Sequence, residues 1–425
     1  MSAFADTPAD TRVGAATLAA PEETRTAGQR LHGFLAVSWI LLWLTEIFEH
    51  IDRAVPIPLF YPIIGLYLMY FVTTRPVHIG KLAMRPLFLM WALTAIIPIM
   101  MYMLGDKSGA AWVSLRVRLV CFSVIGGTAM VLMDPGSVSI VRRAARIALA
   151  IAIPINLVEL VVPNLLSISP GRSAGFYENP NISAAVIIVC VILAVDFTKH
   201  TKLGFFTIGM AAVAILTTFS RAGILFIAVL GVAYVMLPRG RESLSALQRI
   251  AILCAGVFAI ALVITLILNL IDLSAGARAR LLSVIYADFT DESSAERLAA
   301  ARWAFDQFLE YFWTGRGLGA PEFYDMRTHN SFVHIGVEYG VGGLILYLVI
   351  LFAGLLKIAQ HGWNRAINLT LLAGFLFYNS AFDHYVHVQL PFAIAFSVIM
   401  IDALIPKQNA GTSTDTRDHP GALSA

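Results

Sequence analysis

Long apolar runs alternate with short polar stretches from residue 33 to residue 405. The runs fall at about 33–49, 54–74, 86–104, 111–133, 144–163, 182–196, 203–219, 222–237, 250–271, 331–356, 366–386 and 388–405. Each is near the roughly 20 residues a helix needs to cross a bilayer. Hydrocarbon offers no partner to an open backbone amide or carbonyl, so such runs are read as helices. The pattern predicts an all-α, polytopic membrane protein of about twelve transmembrane helices. Its longest polar segment, 272–330, separates spans nine and ten. Residues 1–31 and 406–425 contain no apolar run and are expected to be disordered tails around a transmembrane domain at 32–405.

Lys and Arg fix the orientation. The loops TTRPVHIGKLAMRP, DPGSVSIVRRAAR, DFTKHTK, PRGRESLSALQR and KIAQHGWNR all fall on one face and all carry positive charge. That bias marks cytoplasmic loops and predicts both termini in the cytoplasm. The opposite face, periplasmic in a bacterium, then receives every unusual polar cluster: SPGRSAGFYENPN at 169–181, TTFSRAG at 217–223, and 272–330. Within the last, ERLAAARWAFDQFLEYF predicts a helix lying on the membrane surface through Leu298, Trp303, Phe305, Phe308 and Phe312. WTGRGLGAPEF follows it, and its GRGLG is expected to be a flexible turn, since no strand precedes it and no GK[ST] follows.

Composition agrees with this picture and removes several alternatives. Of 425 residues, 58% are hydrophobic and 13% charged, against roughly 25% charged in soluble domains. A net charge of +3 is too small to imply nucleic acid. Cys121, Cys190 and Cys254 lie inside apolar runs, which fits buried thiols and no disulfide framework. No Asp-x-Asp motif is present, which argues against a transferase that holds a nucleotide sugar through a divalent cation. Asp383, His384 and His387 lack a third well-placed ligand and read as a surface turn. No metal and no cofactor are expected.

The candidate chemistry lies on the periplasmic face. In FSRAG, Arg221 stands at a helix entrance beside Ser220 and small residues. Exposed amides there suit an anion, and a guanidinium can grip a phosphate through two parallel hydrogen bonds. Snorkelling to the interface is the competing reading of Arg221. In GRSAGFYENPN, Arg172 and Asn181 are candidate phosphate or sugar contacts, while the Asn-Pro-Asn run also reads as a helix cap. Arg116 and Arg118 end the fourth span and serve either as carrier-phosphate ligands or as interfacial anchors. His329 and Asn330 stand at the mouth of the tenth span, where imidazole suits proton transfer and Asn330 equally suits an N-cap. Farther in, His334 and Glu338 share a face at i, i+4, and an ionisable residue within a span is a functional candidate in a supporting role.

Taken in order, GRSAGFYENPN, FSRAG, ERLAAARWAF with WTGRGLG, and THNSFVHIGVEYGVGGLILYL resemble the O-antigen ligase and polymerase superfamily of bacterial envelope glycosyltransferases, the ligase branch more closely. The resemblance implies a GT-C-like fold in the inner membrane. It implies inverting, metal-independent transfer of a glycan from undecaprenyl pyrophosphate to a lipid A core sugar, with membrane lipids around it. It also singles out Arg221, Arg297 and His329 as the catalytic residues. Extension of the lipid-linked chain by a polymerase is the near alternative. An anionic-solute transporter is the alternative of another class; it fits the span count, but no internal repeat and no pair of broken helices is legible.

Overall fold

The computed structural model describes residues 27–47, 60–74, 86–105, 107–133, 137–162, 165–166, 172–177, 179–237, 244–270, 278, 282, 292–324, 328–356, 363–383, 386–387 and 389–404. Among these residues the chain is all-helical, without strands. The helices are α1 (Ala27–Thr45), α2 (Phe60–Thr74), α3 (Pro86–Leu104), α4 (Gly109–Leu132), α5 (Ser137–Val161), α6 (Pro180–Ala194), α7 (Lys202–Thr217), α8 (Arg221–Met236) and α9 (Ala246–Leu270). Then come α10 (Glu292–Glu310), α11 (Ala320–Phe323), α12 (Ser331–Leu356), α13 (Trp363–Phe382) and α14 (Leu390–Leu404). All but α10 and α11 coincide with the apolar runs, and those two occupy the long polar segment. Gly109–Leu132, Ser137–Val161, Ala246–Leu266 and Ser331–Leu355 are each long and apolar enough to cross a membrane. The chain is thus a polytopic membrane protein. Helix α1 starts at Ala27, ahead of its apolar run; the rest of the predicted N-terminal tail and residues 405–425 lie outside the described residues.

Helix α6 is the axis of the bundle. Its residues from Ile182 to Ile192 are buried on every side, and α5, α7, α8, α13 and α14 pack around it. It has 15 residues and meets protein rather than lipid. The carbonyls at its end, which an isolated helix leaves without partners, are capped from α13: Asn368 Nδ2 donates to Ile192 O and to Val195 O, both at 2.7 Å. By contrast α9 presents exposed Leu247, Val257, Phe258 and Leu262, an outward surface suited to lipid. Where α1 and α3 meet α4, the adjacent Gly126 and Gly127 let Trp91 and Trp39 lie against the backbone. Trp39 Nε1 then donates to Thr128 Oγ1 at 3.0 Å.

Helix α12 is broken. Gly340 has φ 66° and ψ −165°, a region that is essentially reserved for glycine. Continuing the helix would have Val341 N donate to Val337 O. Instead Val341 N donates to Phe312 O at 2.8 Å, and Val337 O accepts from Arg316 N at 2.6 Å. One helical bond is exchanged for two bonds to the segment that follows α10. The GRGLG stretch, expected to be a flexible turn, is therefore a strap inserted into the break. Gly340→Ala forces a Cβ within 2.6 Å of Trp313 O. It is expected to cost at least the roughly 1–3 kcal/mol of a residue in this backbone region, measured as a lower thermal midpoint in detergent; an unchanged midpoint would show that the strap yields freely.

The strap also decides how α10 sits. Leu298 and Phe305, two of the residues through which the sequence lays this helix on the membrane surface, are exposed. Another face of helix α10 docks on α12 through its alanines: Ala300 and Ala304 are buried, and Phe308 lies over Gly336. The large side chains draw attention in the sequence, but the small ones allow close approach.

Candidate active site

Two helix entrances converge at one end of the bundle. At the first, Phe219 takes a left-handed φ of 50° and Ser220 caps α8, its Oγ accepting from Gly223 N at 3.4 Å. Arg221, half-buried, is the first residue of the helix. Residues 172–181 dock onto this turn. Arg172 Nε donates to Thr218 O at 2.9 Å and its Nη2 to Asn181 Oδ1 at 3.0 Å, while Ser173 N donates to Thr217 O at 3.2 Å. Asn179 caps α6 by accepting from Asn181 N at 2.8 Å. Arg172, Asn181, Ser220 and Arg221 thus form one polar cluster.

A residue that the sequence reading missed holds this cluster. Glu159, buried near the end of α5, accepts from the amides of Leu166 at 3.1 Å, Ala174 at 2.7 Å and Gly175 at 2.6 Å. A carboxylate bonded to several backbone amides fixes the loop around it. Its only signal in the sequence is an acid inside an apolar run.

The second entrance repeats the pattern. His329 takes a left-handed φ of 47° and is half-buried, and Asn330 caps α12 by accepting from Val333 N at 3.0 Å. Asn330 Nδ2 also donates to Ala381 O at 3.4 Å, and Ser331 Oγ to Asp383 O at 2.6 Å. The first entrance meets the same helix, because Tyr378 OH donates to Ala222 O at 3.4 Å. Residues 378 and 381 are separated along α13 by about 4.5 Å of rise. The end of α13 therefore joins the Arg221 and His329 entrances.

Arg297 comes from α10 and is exposed. Phe312 pairs with Val341 and Phe308 with Gly336, and Ala304 packs near Val333 and Val337. Arg297 lies on the same helix face as Ala304, and it is exposed. Arg327 lies outside the described residues.

Below the entrances lies an ionic core. Glu338, fully buried on α12, accepts from Arg118 Nη2 at 2.6 Å and Ser114 Oγ at 3.1 Å on α4, and from the strap amide of Gly319 at 2.8 Å. His334 Nε2 is 3.8 Å from the same carboxylate and 3.6 Å from Glu322, while its Nδ1 is 3.4 Å from Thr328 Oγ1. Thr328 Oγ1 in turn donates to Asn330 O at 3.3 Å. Arg118, a sequence candidate for carrier phosphate, thus spends its charge on Glu338, whereas Arg116 is exposed. A recess of about 100 Å³ opens beside Arg118, Tyr339 and His387, lined otherwise mostly by apolar side chains of α3, α4, α12 and α14.

Ligand atoms of His334, Glu338 and His387 lie within 4.8 Å of one another. That donor set could hold a divalent ion, but the Arg118 guanidinium sits 2.6 Å from a carboxylate oxygen the ion would need. The cluster reads instead as an ion pair with an imidazole beside it. Of the three metal candidates in the sequence, His384 lies outside the described residues, and Asp383 is tied to Ser331 through its backbone.

Residues 205–348 match the family model described as O-antigen ligase. The matched stretch runs from α7 into α12 and contains Arg221, Arg297, His329, His334, Glu338 and the break at Gly340. A search of curated proteins gives no match. The family match supports the O-antigen ligase superfamily, and an O-antigen ligase or polymerase type of function, for this chain.

Proposed function

From the match of residues 205–348 to the O-antigen ligase family model, we propose that the protein transfers a polysaccharide from undecaprenyl pyrophosphate to a lipid A core sugar. Transfer takes place on the periplasmic face of the bacterial inner membrane, with both termini cytoplasmic. The observation that carries this reading is the convergence of the Arg221 and His329 entrances on the end of α13. A sugar on pyrophosphate is already activated. The enzyme needs only to stabilise charge on the departing pyrophosphate and to take a proton from the attacking hydroxyl.

Arg221 and Arg297 do the first by fixed electrostatics, with Arg172, Asn181 and Ser220 lining the same cluster. His329 does the second, held by a left-handed turn of the kind that concentrates at active sites. Attack opposite the leaving group inverts the anomeric centre, and no metal or nucleotide takes part. Donor and acceptor are both tethered in lipid, so a site at the membrane surface removes part of the orientational barrier. The GT-C assignment rests on the same footing: a helical membrane scaffold with its chemistry on the outer face.

Arg221→Lys keeps the charge but loses the fork. It is expected to lower the transfer rate by about 10²-fold, within the range of one removed charge-stabilising donor, in an assay with purified protein and lipid-linked donor. A rate within threefold of the parent would reduce Arg221 to a point charge. For the function itself, the gene is deleted and lipopolysaccharide is examined beside the carrier-linked glycans. Bare core with long chains accumulating on the carrier supports the ligase. Core bearing one repeat, with short units on the carrier, supports the polymerase, and no change in either pool rejects both.

A further inference from the structure

The turn that presents His329 is held from behind by two buried residues on either side of it in sequence, Thr328 and His334, which are 1% and 3% exposed. The Thr328 hydroxyl reaches past His329 to the carbonyl of Asn330 at 3.3 Å. A side chain that bonds the backbone two residues ahead takes the place of a turn hydrogen bond. Here it clamps a non-glycine residue at φ 47°, a conformation that persists only where its surroundings over-determine it.

His334 in turn fixes the clamp. Its Nδ1 is 3.4 Å from Thr328 Oγ1, while its Nε2 lies 3.6 Å from Glu322 and 3.8 Å from Glu338. Two carboxylates repel a bare ring nitrogen, so Nε2 carries a proton, and Nδ1 is the atom left to meet Thr328. The His387 ring, 4.9 Å away between centroids, packs beside the imidazole. The backbone of the same residue closes the clamp, because His334 N donates at 3.0 Å to the Asn330 carbonyl that Thr328 also reaches. Glu338 is itself bound to Arg118 and to the strap amide of Gly319. The direction of the His334 ring is thus set by α4, the strap and α11 together.

We propose that His334 is a positioning residue for glycan transfer: through Thr328 Oγ1 it holds the His329 turn in place and so determines where the His329 imidazole stands. Buried as it is, His334 acts through Thr328 rather than on the substrate. The proposal rests on the reading of His329 as the general base. A misplacement of about 1 Å at a reacting group costs about 10²-fold in rate.

The test exploits the two ring nitrogens. An Asn side chain places its amide where Nδ1 stands and can still bond Thr328, whereas Gln places its amide where Nε2 stands and keeps the carboxylates but not Thr328. His334→Gln is expected to lower kcat by about 10²-fold with KM little changed, and His334→Asn to stay within about fivefold of the parent. Stability is expected to run the other way, with the lower thermal midpoint in His334→Asn, which gives up both carboxylate contacts. Thr328→Val is expected to match His334→Gln, Thr328→Ser to restore the rate, and the double variant H334Q/T328V to be no worse than either single change, as for residues acting in one chain of contacts. Hydrogen exchange of the 328–333 amides, which needs no activity, is expected to quicken about tenfold in His334→Gln and not in His334→Asn.

An unchanged kcat in His334→Gln overturns the proposal. So do equal losses in the Asn and Gln variants, activities that simply follow the thermal midpoints, or losses that multiply in the double variant. If the parent transfers no glycan, the proposed function fails by itself, and exchange that is alike in both variants then shows that His334 does not hold the turn.

Discussion

Replacing His329 is expected to lower glycan transfer by about 10²–10⁴-fold, the usual contribution of a general base, while leaving the protein folded. The substitution must be chosen around the backbone, because His329 sits at φ 47°. Asn tolerates that region better than most residues, so His329→Asn removes the imidazole and keeps the turn. The neighbouring contacts do not depend on the ring: Asn330 caps α12 and Ser331 reaches Asp383 by themselves. The measurement is single-turnover transfer by purified variants from a lipid-linked donor to lipid A core. If His329→Asn stays within tenfold of the parent, the base is another group and His329 serves the turn. Loss with His329→Asn but with unchanged donor binding assigns the defect to the chemical step.

The second large effect is on stability. Glu338→Ala leaves the guanidinium of Arg118 buried without its carboxylate, and breaking a buried pair in this way costs about 3–5 kcal/mol. The same change removes the acceptor of Gly319 N, so the strap in the α12 break loses an anchor as well. A lower thermal midpoint and faster proteolysis at 313–319 are expected. The double variant Arg118→Met with Glu338→Leu removes both charges and is expected to recover most of the loss, since well-packed apolar pairs often replace buried ion pairs without penalty. A double variant as unstable as Glu338→Ala would show that the Ser114 and Gly319 hydrogen bonds, and not the charge pair, carry the interaction.

These two residues also show what the sequence could and could not reveal. The positions of the helices were legible because hydrophobic periodicity and length are local properties. The Asn caps were legible for the same reason: Asn179 and Asn330 each bond an amide two or three residues ahead. Glu338 stood out as an acid in a span, but its partner Arg118 is 220 residues away. Whether a guanidinium meets phosphate or carboxylate depends on which helices are neighbours, and no local pattern encodes that. Glu159 was hidden for the same reason, because two of its three partners lie beyond the next turn of chain, at Ala174 and Gly175. The strap was misread because a run of glycines signals freedom in isolation, whereas here glycine permits close backbone contact with α12.

Helix α6 is sheathed by five other helices and has Asn181 in its first turn. Lipid of another thickness changes the tilt of the outer helices first, because only they feel the mismatch. The central helix has no boundary with lipid to adjust. The depth at which Asn181 and Arg172 meet their surroundings is therefore set by protein contacts, much as a tent pole fixes the height of a canopy whatever the slope of its sides.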